Sequence, residues 1–156
     1  MSEVTSHTSF FSPTDMQQSS IVFGAMCGHG AFAAAIGSNV FEVMKHFQRG
    51  GWVNMPIMEK ALRNARKSPK RVNGWWTKDD DVALTLLQFL GPWMAEGVSP
   101  FARCRYRHWV ATRGNLIWDA NTEAWHPKEV WEDLVIRDLM PERGTGYEAF
   151  RSLIWG

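Results

Sequence analysis

The stretch RCRYRHWVATRGNLIWD, residues 103 to 119, constrains this chain more than any other part of it. Strand-forming runs at 103–112 and 116–119 flank Arg113-Gly114-Asn115, a pattern that predicts a β-hairpin closed by a tight turn. With Arg113-Gly114 as a two-residue loop, His108 faces Asp119 directly. With Gly114-Asn115 it faces Asn121, and Asp119 becomes its diagonal neighbour. In both registers the three side chains share one face of the sheet, because a separation of two residues preserves the side. A three-residue loop would set Ala120 opposite His108 and undo the arrangement.

A histidine beside a carboxylate across a hairpin is the base-and-orienter half of a nucleophilic triad, since the carboxylate fixes the tautomer and stabilises the imidazolium. The nucleophile must then come from elsewhere. The chain has two cysteines, neither in a CxxC spacing, so neither a disulfide framework nor a metal cluster is expected. Cys27 lies within IVFGAMCGHGAFAAAIG at 21–37, where the alanine run after Gly30 predicts a short buried helix ending at Gly37. Cys27 then falls at or just before the helix N-terminus, where free N–H groups and the macrodipole favour a thiolate. Gly28 and Gly30 would let a substrate approach the backbone, and an N–H near Cys27 could polarise a carbonyl oxygen. Cys104 lies about 13 Å from His108 along the strand and is read as structural. Cys27 and His29, with no matching second pair, do not make a metal site.

The rest of the chain organises around these residues. Residues 1–16 read as a flexible arm with Phe10 and Phe11 as anchors, and 17–156 as a single domain. Ser38 is expected to cap a helix running to Phe47 with Phe41, Met44 and Phe47 on its inner face, and Asn54 with Pro56 to start another that runs to the basic loop RKSPKR at 66–71. Thr77 with Asp80 suggests a fourth helix carrying Val82, Leu86, Phe89 and Leu90. Pro127 is expected to open a helix with Val130, Trp131, Leu134 and Val135 inward, and YEAFRSLIW to form a last one. The class expected is α+β, with the first two thirds mainly helical.

Composition narrows the partners. The 156 residues are 45% hydrophobic, enough for a core without staples, and 17 basic against 16 acidic side chains leave no cationic surplus for a nucleic-acid backbone. No apolar run is long enough to span a membrane, and residues 1–20 lack the pattern of a secretory signal, so a cytoplasmic location is expected. Of nine tryptophans, Trp131 and Trp155 are expected in the core. Trp75 and Trp76, with His29 and Trp109, are the candidates to line a substrate cleft.

Cys27-Gly28 followed by AFAAAIG, the later GWVNMPIMEKAL, and then HWVATRG and LIWDAN resemble, in order and spacing, the papain-like cysteine peptidases. The likeness is greatest to the compact bacterial branch that cleaves double-glycine leader peptides, and it covers residues 17 to 121. It implies a nucleophile helix packed against a small antiparallel sheet, followed here by C-terminal helices. It also implies Cys27 as nucleophile, His108 as general base and acid, and Asp119 or Asn121 as orienting group. The substrate would be a peptide or protein and no cofactor would be needed; the compact size, the short Ser/Thr arm and the lack of an export signal would suit a bacterial or phage-encoded setting. One departure concerns the oxyanion hole: the family carries a glutamine about six residues before the cysteine, where this chain has Ile21, with Gln17 and Gln18 further upstream. Transglutaminase-like acyl transferases order Cys, His and Asp in the same way and form an alternative. A catalytically degenerate papain-like binding protein is another.

Overall fold

The computed structural model describes residues 27–47, 53–76, 81–89, 107–137 and 147–155. The N-terminal arm, Gln17, Gln18, Trp52, Thr77, Asp80, Leu90, Trp93 and Cys104 lie outside them. In chain order the elements are α1 (Cys27–Ile36), α2 (Val40–Val43) continued by a 3-10 turn (Met44–His46), and α3 (Met55–Asn64). These are followed by β1 (Lys70–Asn73), β2 (Val82–Phe89), β3 (Arg107–Arg113), β4 (Leu116–Asp119) and β5 (Ala124–Pro127). Last come α4 (Lys128–Trp131), running into a π-helical turn (Glu132–Ile136), and β6 (Tyr147–Ile154).

Small side chains set the first element. α1 is buried from Gly28 through Ala35, a burial on all sides that its glycine and alanine content allows. It ends where expected: Gly37 takes φ +74°, and the Ser38 N–H donates to the Ala33 carbonyl at 2.9 Å, a Schellman closure. Ser38 is therefore spent on ending α1. The cap of α2 is Asn39, whose Oδ1 accepts the Glu42 N–H at 2.9 Å. Phe47 is buried as expected, whereas Phe41 points outward at 42% exposure. In α3 the expected start holds, with Asn54 Oδ1 accepting the Ile57 N–H at 2.9 Å.

The strands form one antiparallel sheet of order β1-β6-β2-β3-β4-β5 among the described residues. Three expectations are corrected here. The segment read as a fourth helix is β2, a central strand whose residues 83–88 are all buried, so it shows no polar alternation. The segment read as a last helix is β6, which pairs with both β1 and β2 and carries an irregularity opposite Leu86/Leu87 that breaks its alternation. The basic stretch at 66–71 is only partly loop, because Lys70 and Arg71 begin β1 and Arg71 is bridged to Glu59 of α3 at 2.7 Å. The helix after Pro127 does form, but shortens to α4 and its π turn, with Trp131 and Val135 buried and Val130 and Leu134 exposed.

The sheet separates two cores. On one face Phe32, Val40, Met58 and Leu62 from the helices pack in a cluster with Leu84, Leu86, Trp109, Trp118 and Leu153. On the other, Trp131 and Val135 cluster with Leu87, Val110 and Ile117. Gly28 marks the tightest approach on the α1 side: a Cβ added there would lie 2.9 Å from both Cβ and Cγ2 of Val53. The Val53 carbonyl in turn accepts the Trp109 indole N–H at 2.7 Å. The lack of a side chain at Gly28 serves packing against Val53, where the sequence suggested substrate approach. Gly28→Ala is expected to destabilise the fold by about 1–3 kcal/mol in urea titrations, with part of the loss recovered in the Gly28→Ala/Val53→Ala double variant.

Candidate active site

The β3–β4 turn decides the geometry. Arg113 pairs with Leu116, Thr112 with Ile117 and Ala111 with Trp118, so the loop is Gly114-Asn115, with Gly114 at φ +57°. Of the two registers open in the sequence, this is the one that makes Asp119 the diagonal neighbour of His108. The ladder stops at Ala111 and Trp118, and His108 lies beyond its last pair. There the imidazole meets Asp119 on one side and α1 on the other.

His108 Nε2 and Asp119 Oδ2 are 2.8 Å apart in a buried hydrogen bond. The Cys27 side chain hydrogen-bonds the same imidazole, and since Nε2 is taken, the nitrogen left for it is Nδ1. The nitrogen roles are thus exchanged relative to the serine triad, in which Nε2 faces the nucleophile. The backbone N–H of Trp109 also donates to the sulfur.

Asp119 is fully buried, yet it remains a carboxylate because donors surround it. Oδ1 accepts the Asn121 backbone N–H at 2.8 Å and the Asn121 Nδ2 amide at 2.9 Å. Oδ2 accepts His108 and the Trp131 indole N–H, the latter at 2.8 Å. Burial alone would raise its pKa; the charge and hydrogen bond of His108, with the Trp131 and Asn121 donors, bring it below the ordinary value. Burial would likewise lower that of His108, but Asp119 and Cys27 outweigh it and push the imidazole up to about 10. At Cys27 burial raises the thiol, and the His108 hydrogen bond and charge with the Trp109 N–H overcome it, so the thiol titrates below its usual value. The three groups form a thiol–imidazole–carboxylate row at the start of α1, in which the imidazole pKa is raised and those of the thiol and the carboxyl are lowered.

The structure brings together Cys27, His108 and Asp119 as expected and gives Asn121 a definite place, holding Asp119 rather than replacing it. Two residues expected in a substrate cleft are core instead. His29 is fully buried with its ring centroid 4.3 Å from that of Phe47, and Trp109 is buried with its indole bonded to Val53. Trp75 packs edge-on against Trp131 and Tyr147 and lies beneath the Lys128 ammonium, so it belongs mainly to the second core. The Trp76 carbonyl accepts the Thr112 hydroxyl at 3.2 Å. Gln17, Gln18 and Cys104 are outside the described residues. The site residue that the sequence left unrecognised is Trp131, legible there only as a core tryptophan; a buried indole N–H needs a partner, and that requirement was its signal.

No protein-family model matches the chain, and no curated protein matches it.

The raised pKa of His108 links the site to stability. Its folded value of about 10 exceeds the ordinary 6.5, so its charge stabilises the fold fully below 6.5, and that contribution is withdrawn as pH rises toward 10. The urea midpoint of the wild-type protein is expected to fall across this window more steeply than that of His108→Gln. Parallel profiles would show that the pair does not support the fold.

Proposed function

We propose that the protein is a cysteine-dependent hydrolase, a peptidase or isopeptidase of papain-like design that acts through a Cys27-His108-Asp119 triad. The observation that carries this reading is one imidazole hydrogen-bonded on Nε2 by a buried carboxylate and on its other nitrogen by a cysteine at a helix N-terminus. Buried His–Asp pairs can be purely structural. A thiol on the remaining nitrogen, with its pKa lowered, is the arrangement nucleophilic catalysis requires.

In the proposed reaction the Cys27 thiolate attacks the carbonyl carbon of an amide, forming the S–C bond and a tetrahedral oxyanion. The backbone N–H groups of the first turn of α1 lie on the nucleophile's own element and are suited to receive that charge. The His108 imidazolium passes its Nδ1 proton to the leaving nitrogen, the C–N bond breaks and a thioester remains. Neutral His108 then takes a proton from water, whose oxygen displaces the sulfur and releases the acid. Asp119 stays ionised throughout and holds the ring.

A peptidyl vinyl sulfone is expected to label Cys27 and not Cys104 under reducing conditions near neutral pH, with labelling reduced about a hundredfold or more in His108→Gln. A folded protein whose Cys27 stays unlabelled would refute the hydrolase reading. Adding a primary amine donor to the same reaction separates water from amine as the acceptor of the acyl group, since an amine adduct in place of a cleavage product marks an acyl transferase.

A further inference from the structure

We propose that Trp131 is a positioning residue for this reaction. Its indole N–H, held on Asp119 Oδ2, keeps the carboxylate aimed at His108 and so keeps Nδ1 turned toward Cys27. The inference rests on the triad reading above.

Each oxygen of Asp119 has two donors, and the two oxygens are held differently. Both donors on Oδ1 come from Asn121, two residues along the same turn, so they move with Asp119 itself. Oδ2 is held by His108, the group to be oriented, and by Trp131. Trp131 is thus the one donor to this carboxylate, among the described residues, that is neither part of the Asp119 turn nor a member of the triad. An indole nitrogen donates only, so the oxygen it binds must act as an acceptor. With Asp119 ionised, Oδ2 only accepts, so His108 hydrogen-bonds it through an Nε2 that bears a proton.

The indole is itself fixed. It is fully buried, with Trp75 and Tyr147 edge-to-face at centroid distances of 6.0 and 5.4 Å. The Tyr147 hydroxyl donates to Glu132, the residue after Trp131, at 2.8 Å. Without the N–H, the carboxylate stays tethered at Oδ1 while Oδ2 is free to turn away from His108. The groups that face the His108–Asp119 pair among the described residues are Cys27 from α1, Asn121 from the β4–β5 turn, His126 from β5, which senses the Asp119 charge, and Trp131 from α4. Of these, Cys27 and His126 titrate.

The test reads the ion pair without a substrate. The rate of Cys27 alkylation by iodoacetamide is followed against pH in the full chain, with peptide mapping to separate Cys27 from Cys104. Wild-type protein is expected to react as a thiolate from acidic pH upward, with a second step where His108 loses its proton. In Trp131→Phe the acid onset should rise and the alkaline step should fall, each by roughly one pH unit, a tenfold shift in population at each limb. Trp125→Phe, which removes a buried indole that is not bonded to Asp119, should leave both limbs in place. Where Trp131→Phe fails to fold, benzothienylalanine at position 131 keeps the bicyclic ring and removes only the donor. Wild-type limbs in a folded protein lacking that N–H would overturn the role of Trp131 and leave the triad reading intact. Absence of acidic reactivity in the wild type would overturn the triad reading, and this inference with it.

Discussion

A carboxylate removed from water persists as an anion only where donors replace its hydration, and the architecture around Asp119 is organised to meet that condition. The hairpin delivers His108, the turn after β4 delivers Asn121, and the short helix after β5 delivers Trp131. These parts come from one face of the sheet, while Cys27 comes from the helix packed on the other. They meet where the β3–β4 ladder has ended, with His108 beyond its last pair and between Asp119 and α1. Removing the charge on Asp119 would take from the buried His108 the neighbour that most raises its pKa.

Two buried groups of opposite sign can be replaced by apolar residues at little cost or even with gain, so an ion pair alone says little about function. Three ionisable groups in a row, the outer one a thiol at a helix start, are harder to account for as structure. Burial disfavours all three charges, and each is restored by its neighbour.

What could be read from the sequence followed from how local the signal was. The hairpin was legible because glycine at the turn and alternation in the flanks specify pairing within a dozen residues. The extent of α1 was legible because its small-residue run stops at a glycine that takes a left-handed conformation. β2 and β6 were not. Residues 83–88 of VALTLLQF are all buried, with Thr85 meeting the Ser152 hydroxyl at 2.7 Å, and a fully buried strand has no period to distinguish it from a buried helix. In YEAFRSLIW the irregularity near Phe150 shifts the apolar positions out of strict alternation and imitates a helical spacing. At the site, spacing gave Cys27, His108 and Asp119, whereas Trp131 required knowledge of which buried indole lies beneath which carboxylate. His29 and Trp109 were misplaced for the same reason: adjacency to a site residue in sequence does not decide on which side of the sheet a side chain is buried.

The strand order carries a consequence for how the molecule assembles. β6, the last strand in chain order, lies between β1 and β2 and supplies the ladder that joins them, while β2 through β5 follow one another as neighbours. The hairpin that sets His108 beside Asp119 can therefore form early from contacts close in sequence. The aromatic wall behind Trp131 includes Tyr147 at the start of β6, so it waits for a pairing that spans some seventy residues to β2 and β1. Non-local strand insertion of this kind is slow compared with hairpin closure. The His108–Asp119 pair would thus be in place before the packing that immobilises it, and the folding chain would hold that pair in a looser, wetter setting until β6 docks.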